Sequence, residues 1–350
     1  MIRRMALFVL TAFIVIIGSS VWAQVIKLKA ANYLPVTHKM SLLNEWFCEE
    51  VKKRTNGRVE IAYYPGGTLL TPVKMYDGVL SGIADIGFSH IQYTRGRFPV
   101  TEVFDLPLGF PSGWVNTQVC MDFFNRFRPK EFDDVHVFYM TPAGALILQT
   151  TKKPVKVLED LKGLKIRATG QLADVFKYLG AVPVPLAMPD VYESLRRGVI
   201  DGVSVDYSTL KYWKFAEVVK YVTSTWKVGT TITFYFVINK KKWDQIPPDV
   251  QKIMTEVAQE AKEKQARLWN EMDLEGIEVF KAQGGQIFDL SDDEAKRWIK
   301  AVEPVISGYK KSMVEKGFKE SDVDSWIKFI KERIEYWKKE EKARNIPSPF

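Results

Sequence analysis

The polar side chain best placed to do chemistry is Arg167. It closes the apolar run Lys165-Ile166-Arg167, and the chain then turns at Ala168-Thr169-Gly170 into a helical pattern. Open α/β sheets place ligands at strand ends of this kind. A planar guanidinium offers two parallel donors and keeps its charge, which suits a carboxylate. The competing reading is a structural or surface arginine. His90 follows the apolar strand pattern Asp85–Phe88, and an imidazole there donates to an anion without adding negative charge. A satisfied core histidine is its alternative. Asn32 ends the first strand pattern and is either a ligand contact or the turn-former before Pro35.

Covalent and metal chemistry have little to start from. The sequence contains no glycine-rich phosphate loop, no paired-histidine zinc helix and no nucleophile elbow. Its two cysteines, Cys48 and Cys120, fit no zinc spacing. Cys48 falls in a helical apolar pattern beside Trp46 and Phe47 and reads as a small buried hydrophobe. The three histidines, His38, His90 and His136, leave room for a catalytic triad, because triads are defined by geometry. An exported α/β hydrolase or lyase therefore stays open as a second class. Neither a cofactor nor a metal is expected.

The elements that must position these residues follow an alternating pattern. Strands are expected at 25–31, 58–64 and 83–88, with helices at 41–54 and 73–81 between them. The same grammar restarts at 145–149 and runs through 165–167, a helix at 172–179, a strand at 183–186, a helix at 190–197 and a strand at 202–205. Thr231–Ile238 is β-rich and carries the chain back toward the first half. A helix from Pro247 or Pro248 to about Phe280 is long enough to bridge both halves. Ser291 to Glu294 is a capping box, and 321–342 is a final amphipathic helix. Alternation of this kind predicts an α/β fold with mostly parallel sheets covered by helices, and the length predicts two domains. The expected boundaries are 24–144 plus 232–272 for lobe I, 145–231 plus 273–320 for lobe II, and 321–350 for a C-terminal helix and tail.

Residues 1–23 have the layout of a cleaved secretory leader: Arg3 and Arg4, a short apolar run, then Val21-Trp22-Ala23. Cleavage takes the net charge from +8 to +6 with the loss of Arg3 and Arg4. The remaining charge is mixed along helical stretches and reads as solvated faces. No nucleic-acid partner is expected from it.

Several motifs together resemble one family. They are Lys152-Lys-Pro-Val-Lys-Val-Leu-Glu-Asp-Leu-Lys-Gly-Leu-Lys-Ile-Arg167, Leu179-Gly-Ala-Val-Pro-Val184, Tyr192-Glu-Ser-Leu-Arg-Arg-Gly-Val-Ile-Asp-Gly202, Tyr64-Pro-Gly-Gly-Thr-Leu69 and Gly96-Arg-Phe-Pro99. In this order they resemble the solute-binding proteins of tripartite ATP-independent periplasmic (TRAP) transporters, dicarboxylate-binding type. The resemblance runs from about Ile26 to Gln286. It implies a type II-like periplasmic binding fold, two α/β lobes with a ligand cleft between them and a long helix spanning both, which captures a carboxylate in the cleft and delivers it to a small and a large membrane subunit. It makes Arg167 the carboxylate grip. Asn32, His90, Thr169, Met188, Tyr207 and Trp226 become further substrate contacts; Met188 has core packing as its alternative, and the two aromatics at 207 and 226 have the same. Leu146 and Val205 stand where sialic-acid binders carry Arg and Asn, which points to a less polar monocarboxylate. The other open assignments are a binding protein for an ATP-driven importer or a sensor. The expected state is a monomer, with a dimer through the last helix as the alternative.

Overall fold

The computed structural model describes residues 25–350, so the leader read at 1–23 lies outside the described residues. In chain order the strands are β1 (Ile26–Asn32), β2 (Val59–Tyr64), β3 (Ile86–His90), β4 (Val135–Pro142), β5 (Ile147–Thr150), β6 (Lys165–Arg167), β7 (Val182–Val184), β8 (Gly202–Val205), β9 (Tyr221–Ser224), β10 (Thr233–Asn239) and β11 (Gln286–Asp289). They form two sheets, β2-β1-β3-β10-β4 in lobe I and β11-β9-β5-β8-β6-β7 in lobe II.

The two sheets repeat one plan. In lobe I, β1 pairs in parallel with β2 and β3, and β10 runs antiparallel between β3 and β4. In lobe II, β6 pairs in parallel with β7 and β8, and β5 runs antiparallel between β8 and β9. Each antiparallel strand arrives from the other lobe: β5 follows β4, and β10 follows β9. Residues 143–146 and 225–232 are thus the two strand crossings between lobes. Because β1 corresponds to β6 and β3 to β8, Asn32 and Arg167 end equivalent strands. His90 and Val205 end the neighbouring ones.

A third connection is the helix Pro248–Ala282, here the spanning helix. Proline at its start needs no hydrogen-bond partner there and presets the backbone turn. It packs on the helix Lys39–Arg54 and on β4 in lobe I, and on the helix Thr209–Tyr212 in lobe II. Val257, Ala261, Trp269, Met272 and Phe280 are buried along it, while Ile253 and Leu268 are half-buried. Gly276 shows why the contact with lobe II is close. A Cβ there would lie 2.0 Å from the Tyr207 carbonyl oxygen.

Ser291 caps the helix Asp292–Glu315 by accepting from the Glu294 amide at 3.2 Å. The last helix, Glu320–Ala343, packs on the helix Gly113–Phe127 of its own chain, with Val323, Ile330 and Ile334 buried. Cys48 and Cys120 are buried free thiols. Among the described residues no helix is long and apolar enough to cross a membrane.

Candidate functional site

The C-terminal ends of β3 and β6 face each other across the gap between lobes. Ile166 anchors β6 in the core, so Arg167, one residue on, is carried to the rim and is itself 1% exposed. The turn after it uses Gly170 at φ +58°, where a Cβ would also come 3.0 Å from Gln92. Opposite, β3 is buried along its length and ends at His90, 2% exposed. Between them lies a cavity of about 30 Å³. Tyr33, His90 and Phe234 wall it from lobe I; Arg167, Met188 and Asp206 wall it from lobe II. Trp213 and Trp269 complete the rim and floor.

Arg167 is under-used by the protein. Its Nε donates to the Leu186 carbonyl at 3.0 Å, while its Nη2 is buried without a partner. Desolvating a guanidinium and leaving a donor free is costly, and the cost is recovered when an anion takes the donor. His90 is also unpartnered at Nδ1. Burial first, and the Arg167 charge second, hold the His90 imidazole well below its ordinary pKa, so the ring is neutral. Tyr93 lies over the His90 ring at 3.8 Å and accepts a hydrogen bond from the Met188 amide at 3.0 Å. Asp206 accepts from the Ser208 amide at 3.1 Å and from its hydroxyl, and burial raises its carboxyl pKa.

Next to the cavity the lobes hold each other directly. The Thr169 hydroxyl donates to Gln92 Oε1 at 3.0 Å, and Gln92 Nε2 donates to Asp105 Oδ1 at 3.1 Å. Gln171 Nε2 donates to the Glu102 carbonyl at 3.3 Å, and Arg95 pairs with Asp174 across the same seam. Burial, and then the neighbouring Glu102, push the Asp105 carboxyl well above the usual range.

Of the residues read from sequence, the structure brings Arg167, His90 and Met188 to the cavity wall. It does not bring the other four. Asn32 is consumed within lobe I: its Nδ2 donates to Ser41 Oγ at 3.1 Å and to the Tyr63 hydroxyl, and its Oδ1 accepts from the Leu34 amide at 2.8 Å. It makes the turn, the second of its two expected roles. Thr169 belongs to the seam with Gln92. Tyr207 and Trp226 line a separate groove and sit 5.8 Å and 5.7 Å from the Phe350 ring, because the C-terminal tail folds over them.

Wall residues that were not anticipated include Tyr33, Asp206, Trp213, Phe234 and Trp269. Tyr33 follows the end of β1 and Asp206 follows the end of β8, so strand-end logic applied to every strand would have found both. Trp269 lies in a helical apolar stripe, where sequence gives no reason to separate cavity from core. Val205, the apolar replacement noted above, does line the cavity. Among the described residues no group of three or more His, Cys, Asp or Glu is arranged to hold a metal.

The model of bacterial extracellular solute-binding protein family 7 matches residues 31–312. A solute-binding protein of Verminephrobacter eiseniae is 28% identical over 273 residues, 76% of this chain and 79% of that protein. A crystal structure of a TRAP periplasmic solute-binding protein from Desulfovibrio salexigens is 32% identical with a TM-score of 0.77, covering 89% of this chain and 96% of that one. A TRAP solute-binding protein from Rhodoferax ferrireducens, in complex with copurified benzoate, is 26% identical with a TM-score of 0.83, covering 90% and 99%.

Proposed function

The chain belongs to family 7 of the bacterial extracellular solute-binding proteins, and from that premise we propose that it is the periplasmic subunit of a TRAP transporter that captures a small, relatively apolar monocarboxylate. One observation carries the ligand class: a buried Arg167 with an unpartnered Nη2 on the wall of an interlobe cavity. The wall around it is mostly aromatic and aliphatic, with Phe234, Ile232, Val205 and Met188. The benzoate held by the Rhodoferax protein, an acid of this class, supports the reading.

The mechanism involves no bond chemistry. With the lobes apart, Arg167 is open to solvent and meets the anion. Contacts from both lobes then favour the closed state by their differential affinity. Hinge motion falls at the crossings 143–146 and 225–232 and along the spanning helix. That divides the chain into lobe I (24–144 plus 232–272) and lobe II (145–231 plus 273–320). The Thr169–Gln92 and Arg95–Asp174 contacts act as latches. The closed protein is the form delivered to the small and large membrane subunits. Export through a cleaved leader at 1–23 places it in the periplasm. It works as a monomer, since the apolar face of the last helix is used within its own chain.

Isothermal titration of wild type and Arg167→Ala with a panel of short aliphatic and aromatic acids tests this. The expected loss in the variant is about 2–5 kcal/mol, because a buried carboxylate would be left without its partner. Equal affinity in the two proteins rejects the assignment.

A further inference from the structure

We infer that the acid taken by this cavity carries an uncharged oxygen function, a hydroxyl or keto group beside its one carboxylate, and that His90 is the side chain that reads it. The inference rests on Arg167 holding the carboxylate, and it adds the class of acid. His90 is 2% exposed and its Nδ1 has no partner. Aromatic rings pack around the imidazole. Tyr93 covers it at 3.8 Å, while Phe234 and Tyr33 meet it edge-on at 5.3 Å and 6.1 Å. Buried polar atoms left unpartnered by the protein are ordinarily paired by something else.

Position adds to this. Arg167 ends β6 in lobe II and His90 ends β3 in lobe I, so an acid bound to both bridges the lobes. A simple aliphatic acid touches only the lobe II cation and leaves the imidazole unpaired after closure. Sites built around such a group discriminate strongly against ligands that lack its partner. A second carboxylate is no substitute. Arg167 is the one lysine or arginine on the wall, which also carries Asp206, so a second carboxylate would be buried without a cation of its own. The oxygen function must therefore be uncharged. Space sets the scale: about 30 Å³ is room for only a few water-sized groups, so Met188 and Trp213 must shift, or the lobes part, even for a short acid.

The test is calorimetry on two matched series. One is 3-methylbutanoate, its 2-hydroxy and 2-oxo forms, and isopropylmalonate, in which a carboxylate replaces the hydroxyl. The other is phenylacetate, mandelate and phenylglyoxylate. Wild type should bind the oxygenated members of at least one series about tenfold or more tighter than the parent acid. Isopropylmalonate should bind no tighter than the parent. His90→Phe, which keeps the stack on Tyr93, should bring oxygenated and parent acids to within about twofold of each other. Trp269 Nε1 is also unpartnered, so Trp269→Phe is the control and should keep the preference. Parent acids binding as tightly as oxygenated ones in wild type overturn the inference without help from any variant. A preference that survives in His90→Phe removes His90 as the reader, and its loss in Trp269→Phe would transfer the role to Trp269. Tightest binding by isopropylmalonate makes the ligand a diacid, while Arg167 keeps its role. If no acid of either series binds, the carboxylate reading falls and takes this one with it.

Discussion

A buried guanidinium with one free donor serves binding at the expense of the fold. Arg167 is 1% exposed, and Leu186 is its one backbone acceptor. Arg167→Met, of similar length and without charge, should abolish acid binding and raise the unfolding free energy of the ligand-free protein by about 1–3 kcal/mol. Thermal melts without ligand check this; a lower melting temperature in the variant contradicts it. His136 offers a separate test at the same scale. It lies flat on Trp243 at 3.9 Å, and burial, then the Lys240 charge, lower its pKa to about 4. The unfolded chain holds a proton on this residue up to about pH 6.5. The neutral ring therefore contributes stability that is fully present above pH 6.5 and is lost as pH falls toward 4. The melting-temperature advantage of wild type over His136→Gln should shrink across that window, and a constant difference contradicts it. Arg167 and His90 were legible in the sequence because each ends an apolar strand. The same rule misplaced Asn32. Its short amide reaches Ser41, Tyr63 and Leu34 before it reaches the gap, and no strand pattern records that competition.

Most elements were legible as well, because alternation and helical spacing report burial on one face. The strand 165–167, the spanning helix and the last helix occur almost where the pattern puts them. The helix Gly113–Phe127 was not read. Every residue from Gly113 to Cys120 is buried, so no polar face gives that stretch a period. The strands β4, β9 and β11 were missed too; all of β4 but His136 and Val137 is buried. The spanning helix carries the clearest prediction at this scale. In an exposed helix Gly→Ala is favourable by about 1 kcal/mol. At Gly276 the sign should reverse, since the new methyl meets the Tyr207 backbone at 2.0 Å. Gly276→Ala should lower the melting temperature, and a stabilised variant would show that the helix and lobe II are not held this closely.

Across the whole molecule the C-terminus ties the lobes together. Glu341 accepts from Ser112 Oγ at 2.5 Å and from Asn270 Nδ2 at 2.9 Å, and Asn270 also donates to the Pro347 carbonyl at 2.8 Å. Phe350 then reaches Tyr207 and Trp226 of lobe II. Ending the chain at Asn345 should cost about 1–3 kcal/mol from the lost burial of Ile346 and Phe350, leaving acid affinity within a few-fold of wild type. Unfolding and titration of the truncated protein check both halves of that statement. The most direct test of the whole account is a crystal structure with the acid that copurifies. The account predicts a carboxylate within hydrogen-bond distance of Arg167 Nη2, enclosed by both lobes. An acid bound elsewhere, with Arg167 still held by Leu186 alone, would contradict it.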